Sequence, residues 1–273
     1  MARILKIAFV ILFIVCTVLF ITFFIIEKVN TDNSIPVITV PAEELSLSVK
    51  CTDEDLLKGV TAYDEKDGDL TSRVIVESVS RFTEPGVSRV TYAVCDSNNH
   101  VSSRSVLLRY TDYTSPRITM KRSLCYGLHE QVNVAAVISA EDVFDGSLKK
   151  EIQLSSPDFV SGTLGIFTVT VSVTNSKGDD VVYDLPLYVE NTEQNAPSIV
   201  LTEYLIYIRK GETVDPMKYV ASVTDAYRED ISQTLMIESQ VDNSTPGVYG
   251  IHYYAEDKIM RRTHTVLNVI VEE

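Results

Sequence analysis

The sequence predicts an all-β chain, with three antiparallel β-sandwiches in tandem behind one N-terminal transmembrane helix. Three observations carry this. A charge-free apolar run opens the chain, a unit of about 80 residues recurs three times, and apolar residues within each unit alternate with period two.

The apolar run comes first. Ile7 to Ile26 are twenty consecutive residues without a charge, rich in Ile, Phe and Val and preceded by Arg3 and Lys6. At ~1.5 Å rise per residue, such a helix spans the roughly 30 Å hydrocarbon core of a bilayer. A cleaved signal peptide is the alternative, but its apolar region runs about 7–15 residues and ends at a small-residue site. Phe23-Phe24-Ile25-Ile26-Glu27-Lys28 offers no such site, and Phe13-Ile14-Val15 before Cys16 lacks the small residue expected ahead of a lipoprotein cysteine. The expectation is a retained anchor over 7–26. Arg3 and Lys6 then keep residues 1–6 cytoplasmic and leave residues 29–273 outside the cytoplasm, as expected of a single-pass cell-membrane protein.

The exported part is acidic. Setting Arg3 and Lys6 aside leaves 22 basic against 38 acidic residues, a net charge of −16. That disfavours nucleic acid and anionic lipid surfaces, both of which need a basic patch. Beyond Cys16, the remaining Cys51, Cys95 and Cys125 are odd in number and share no spacing, unlike a disulfide framework. A Cys51–Cys95 bridge stays open at this point.

The repeats are read from three signatures. Ser34-Ile35-Pro36-Val37-Ile38 recurs as Thr114-Ser115-Pro116-Arg117-Ile118 and as Asn195-Ala196-Pro197-Ser198-Ile199, the prolines 80 and then 81 residues apart. Proline suits the first residue of an edge strand. Next, Asp67-Gly68-Asp69-Leu70 matches Asp145-Gly146-Ser147-Leu148 and, more loosely, Glu229-Asp230-Ile231. Val74 and Val76 then correspond to Ile152 and Leu154, and to Leu235 and Ile237. Finally, Pro85-Gly86-Val87, Leu164-Gly165-Ile166 and Pro246-Gly247-Val248 each open a strand in register. Four, six and eight residues past the glycine stand Val90, Tyr92 and Val94; Val169, Val171 and Val173; and Ile251, Tyr253 and Ala255. Asp96, Asn175 or Asp257 closes the strand at a turn. A last strand follows over 105–110, 183–189 and 265–271. Short strands, turn signals every ~8–12 residues and no sustained helical period read as the immunoglobulin type of sandwich. The domains fall at 34–110, 115–190 and 196–273. With no Trp and no antibody-like Cys pair, they are not antibody-type domains.

The order D-G-D-L, P-G-V and V-x-Y-x-V-x-D resembles the bacterial immunoglobulin-like repeats of group 3 and their relatives, over roughly residues 34–273. The family pattern places an aromatic two residues after the glycine, as at Phe167 and Tyr249, where the first repeat has Ser88. It also places Gly-Asn after the strand-ending Asp, where Asn98-Asn99, Lys177-Gly178 and Ile259-Met260 stand here. These departures point to diverged turns. The resemblance implies extended modules of bacterial surface proteins.

Asp64, Asp67 and Asp69 are the candidate metal ligands. An EF-hand counted from Asp64 has Lys66 at position 3, Gly68 at 5 and Ile75 at 12, which fails the ligand pattern. The third repeat replaces the motif with Tyr227-Arg228-Glu229-Asp230. Asp and Gly are turn formers for local reasons, so the reading is a turn, with weak calcium binding by the first repeat as the alternative. Neighbouring carboxylates on one turn make no cleft for acid–base work. His100, His129, His252 and His264 are scattered, and no catalytic or phosphate-binding motif occurs. Neither enzymatic activity nor a cofactor is expected. Asn243-Ser244-Thr245 reads as the turn before Pro246.

The binding candidates are the basic run Lys258, Ile259, Met260, Arg261 and Arg262, and the tyrosines Tyr207 and Tyr254. Seven of the fourteen tyrosines lie in the third repeat; Tyr207 and Tyr254 fall off the inward face, where exposed aromatics serve interfaces and sugar sites. In an immunoglobulin-like domain the loop between the last two strands lies at the end where the chain enters. Residues 258–262 are therefore expected to face the second domain and the linker 191–196. Ile259 and Met260 would cover apolar surface there, with Arg261 or Arg262 near Glu190 and Glu193. The function expected is a non-enzymatic surface module that spaces, or binds a protein partner or envelope glycan. An accessory subunit delivered to a membrane complex is the alternative.

Overall fold

The computed structural model describes residues 2–30 and 34–273, so Met1 of the 1–6 segment lies outside the described residues, as do the side chains of 2–5. The chain begins with α1, Ala2–Asn30. Its stretch Lys6–Ile26 is long and apolar enough to cross a membrane by length and composition, a test a signal sequence also passes. The hydroxyls of Thr17 and Thr22 donate to Phe13 O (2.7 Å) and Val18 O (2.9 Å), which satisfies them within the helix.

Two compact units follow from the contacts. The first holds residues 1–80 with 87–110, the second 81–86 with 111–273.

In the first unit the strands are β1 Val37–Thr39, β2 Glu44–Leu47, β3 Thr61–Asp64, β4 Gly68–Asp69, β5 Ile75–Val79, β6 Val87–Cys95 and β7 Val101–Tyr110. They form two sheets, β1-β3-β4 and β2-β7-β6-β5, in which β2 runs parallel to β7 and every other pair is antiparallel. Between β2 and β3 a helical turn, α2 (Asp53–Leu57), is closed by a capping box. Thr52 Oγ1 accepts from Asp55 N, and Asp55 accepts from Thr52 N at 3.0 Å.

The second unit repeats the plan twice. Its first sandwich comprises β8 Arg117–Met120, β9 Cys125–Gly127, the turn α3 Val134–Val137, β10 Ile138–Asp142, β11 Gly146–Ser147, β12 Ile152–Ser155, β13 Gly165–Thr174 and β14 Asp180–Glu190. The last comprises β15 Ser198–Leu201, β16 Leu205–Arg209, β17 Val220–Thr224, β18 Met236–Ser239, β19 Gly247–Glu256 and β20 Arg262–Glu272. The sheets are β11-β10-β8 with β12-β13-β14-β9, and β15-β17 with β16-β20-β19-β18. The third domain pairs only Thr224 with Asp230 where the others make β4 and β11. Asp225 there collects the amides of Tyr227 and Glu229, and Arg228 takes φ +66, where the earlier turns use Gly68 and Gly146.

The alternation behaves as the spacing predicts. None of the nine residues at positions four, six and eight past the glycine is more than 3% exposed. Tyr92 donates to Leu56 O (2.7 Å) and Tyr253 to Pro216 O (2.9 Å), so a core tyrosine holds the helical turn of each outer domain. Those turns, α2, α3 and the 3₁₀ segment Pro216–Tyr219, leave no periodic signature in the sequence because each is a single turn.

Candidate functional site

The second and third domains meet along the outer face of the β16-β20-β19 sheet. Leu205 and Ile270 lie in the same apolar cluster as Ile118, Leu124 and Leu187, and Val266 and Asn268 are each 1% exposed. This sheet is buried on both faces. Polar contacts stitch the seam. Tyr207 OH accepts from Ile118 N (2.8 Å), while the Arg117 guanidinium covers the Tyr207 ring at 4.6 Å and its Nη2 meets Glu272 Oε2 at 2.8 Å. Ser123 Oγ accepts from Val266 N (3.1 Å), and Asn268 Nδ2 points at Met120 Sδ (3.7 Å).

At one end of the seam lies an aromatic stack. The register Tyr254↔His264 and His252↔Val266 sets His252 and His264 diagonally on adjacent strands. Their rings are nearly parallel, with centroids 5.2 Å apart, and His252 Nδ1 lies 2.9 Å from His264 Nε2. His264 Nδ1 meets Glu190 Oε1 at 2.8 Å. Tyr254 stacks on His264 at 4.6 Å, and Tyr188 turns its ring perpendicular to both imidazoles. His252 Nε2 is buried with no partner. Burial, then the neighbouring His264, holds the His252 imidazole below its ordinary range. Burial pushes the Cys125 thiol up to about 12 and Tyr188 up to about 12, so both stay neutral and neither is an activated nucleophile. A cleft of about 370 Å³ opens beside the stack, lined among others by Cys125, Glu130, Glu190, Thr192, Tyr254 and Arg262.

The expected binding residues fall differently from the sequence reading. Tyr207 and Tyr254 are half-buried in the seam rather than exposed. Ile259 and Met260 cover nothing at the junction; they are 70% and 68% exposed. The cause is local. Asp257 Oδ1 accepts from Ile259 N and Arg261 N, both at 3.0 Å, and Met260 adopts φ +69, which swings the loop tip outward. Arg261 does reach the linker, donating to Gln194 O at 3.4 Å, but its charge is taken by Asp257 at 2.6 Å. Arg262 pairs with Glu256 at 2.5 Å, and Lys258 with Glu229 at 3.6 Å.

The acidic turn has a structural account. Asp64 Oδ1 accepts from Lys66 N (2.9 Å) and Asp67 N (3.0 Å). Asp67 accepts from Ser97 N (2.6 Å) and Ser97 Oγ (2.8 Å), and Asp69 from Thr71 N (2.9 Å). The Asp67 amide holds Asp64 below the usual carboxylate range, and the Thr71 hydroxyl and amide do the same for Asp69. Asp145 repeats the Asp67 contact with Ser176 N at 2.7 Å. Among the described residues no group of three or more His, Cys, Asp or Glu is arranged to hold a metal. No disulfide joins Cys51 and Cys95.

Sequence reasoning treated His252, His264 and Glu190 as unrelated. The available signal was in β20, where Val266-Leu267-Asn268-Val269-Ile270-Val271 is almost continuously apolar instead of alternating. Such a run marks a strand buried on both faces.

Comparisons place the chain among large, distant relatives. No family model matches it. It is 24% identical over 218 residues to the pesticidal crystal protein Cry22Aa of Bacillus thuringiensis, covering 77% of this chain and 29% of that one. It is 23% identical over 230 residues to an uncharacterized 81.3 kDa protein of Acholeplasma phage L2, covering 80% and 31%. The chain thus spans less than a third of the length of either relative. Among solved structures, it overlaps the M60 catalytic domain with CBM51-1 and CBM51-2 of Clostridium perfringens ZmpB (14% identity, 88% of this chain and 31% of that chain, TM-score 0.25). It also overlaps the extracellular cadherin domains 1–5 of protocadherin gamma B2 (10% identity, 88% and 60%, TM-score 0.20).

Proposed function

We propose that the chain is a membrane-anchored, non-enzymatic module displaying three immunoglobulin-like domains outside the cytoplasm, where it spaces or binds a protein or envelope-glycan partner. The observation that carries this reading is the helix. Phe9, Phe13, Phe20 and Phe23 are each at least 67% exposed, and among the described residues none covers the stretch Lys6–Ile26. A 21-residue stretch of mean hydropathy 3.2, left bare, is long and apolar enough to be covered by lipid. The exposed loop tip, Ile259 and Met260 with Tyr227 at 84% exposure, is the surface we assign to the partner.

The test is fractionation with N-terminal sequencing. An intact chain in carbonate-washed membranes, degraded by protease added from outside, is expected. A soluble mature form beginning near residue 30 would overturn the anchor. Photo-crosslinking from position 259 then separates the partners. A soluble or surface protein or a glycan adduct fits the display reading, and an integral membrane protein makes the chain an accessory subunit.

A further inference from the structure

We infer that the His252–His264 pair makes the union of the second and third domains acid-labile, holding them together at neutral pH and releasing them when both imidazoles are protonated. The geometry admits only one proton between the rings. His252 Nδ1 and His264 Nε2 lie 2.9 Å apart, so one must donate and the other accept. With both rings neutral, a chain of donors runs from His252 Nδ1 to His264 Nε2, and from His264 Nδ1 to Glu190 Oε1 at 2.8 Å.

A first added proton is accommodated. With one extra proton on the pair, one N–H still lies between the rings and another faces Glu190. A second proton is not. It sets two donors and two positive charges face to face, inside a seam where His252 is 5% exposed and the His264 side chain 6%.

The other groups facing the pair do not compensate a second charge. From β14 come Glu190, already used by His264, and the neutral Tyr188. From β9 comes Cys125, a neutral thiol 3.9 Å from His264 Nδ1. On β19 and β20 stand neutral Tyr254, and Arg262, which is turned to Glu256. Glu238, opposite His252 in register on β18, favours a charge on His252, but it is solvent-exposed and is outweighed by burial and by His264. Glu130 at the cleft rim is held by Arg122 at 2.8 Å.

The sign follows from linkage. The joined state holds His252 below its ordinary range, so the separated state binds more protons as pH falls below about 6.5. The union is strongest above that value. It weakens by up to about tenfold per pH unit until the depressed value in the joined state is passed.

Methionine oxidation on the full chain in detergent micelles reads the opening. Met120 is 7% exposed and touches Asn268 across the seam, whereas Met236 and Met260 are exposed and serve as internal references. Hydrogen peroxide is added at pH 7.5 and at pH 5. Met120 oxidation, relative to the references, is expected to rise at least tenfold at pH 5, and His252→Gln to abolish the rise. Equal Met120 protection at both pH values would overturn the inference, as would an unchanged rise in His252→Gln. If His252→Gln leaves Met120 open even at pH 7.5, Glu190→Gln decides. Opening at higher pH than wild type supports the inference, and an unshifted midpoint defeats it.

Discussion

The first and third domains carry the same strands, counted from Gly86 and Gly247, 161 residues apart, yet use the outer face of their large sheets in opposite ways. On β6 and β7 that face presents Arg89, Thr91, Ser103, Ser105 and Arg109. Thr91 Oγ1 and Ser105 Oγ bond across the strands at 3.0 Å, and Arg109 Nε meets Glu44 at 2.6 Å. The matching residues of β19 and β20 are Gly250, His252, His264, Val266 and Ile270. Val266 and Ile270 are buried at 1% and 3% exposure. The first face is solvated at Arg89, Ser103 and Arg109, with Val87 and Ala93 buried on it, whereas the other is a domain interface. The difference shows that the repeat fixes the inner core, while in the third domain the outer positions form the contact with the second.

The sharpest way to break the comparison is a charge on each outer face. Ile270→Asp places a carboxylate in the seam with no cation assigned to it. It should destabilise the second unit by about 3 kcal/mol or more, seen as a lowered thermal midpoint. Arg109→Asp at the matching place in the first domain breaks the exposed pair with Glu44 and should cost less, about 1 kcal/mol. Similar shifts for both would mean that the third domain's outer face is not a true interface.

That asymmetry also explains what the sequence could and could not convey. Inner positions such as Tyr92, Val171 and Tyr253 were legible because burial on one face imposes period two. The acidic turn was legible because Asp64 and Asp69 act within a few residues of themselves. The Ile259–Met260 tip was misplaced because hydrophobicity alone says nothing of direction; the Asp257 amide contacts and the φ of Met260 set it. The imidazole stack depends on Glu190, Tyr188 and Cys125 from another domain, and no local spacing encodes that.

A second substitution sharpens the interface reading. Asn268 is 1% exposed, its Oδ1 has no partner and its Nδ2 reaches only Met120 Sδ and, at 3.4 Å, Tyr204 O. The first domain has Leu107 at this place. A buried amide with an unpaired oxygen costs roughly 1–3 kcal/mol, so Asn268→Leu should stabilise the union by about 1 kcal/mol in chemical denaturation. A loss of that size instead would mean that Asn268 is held by contacts more valuable than those described.

The smallest effect separates two acid responses. In the first domain Asp96 is nearly fully buried, and burial pushes its carboxyl up. The amide and ring of His100, at 2.7 Å each, and the amide of Asn98 at 2.8 Å outweigh this and hold it below the usual range. Asp64 and Asp69 are depressed likewise by their amide and hydroxyl donors. A carboxylate depressed in the folded state contributes stability fully above its unfolded value, near 3.9, and loses it as pH falls through the folded value. The first domain's turns should therefore hold at pH 5, where the imidazole seam has already weakened, and loosen only below about pH 4. Amide exchange at Lys66, Asp67 and His100, corrected for intrinsic rates, reads the turns. For the Asp67→Asn, Asp69→Asn double variant a slight rise in exchange at Ser97 and Thr71 is expected, with no response to added calcium. Loosening of these turns at pH 5 in step with Met120 exposure would dissolve the distinction, and a calcium-dependent gain in protection lost in the double variant would turn the acidic turn into a cation site.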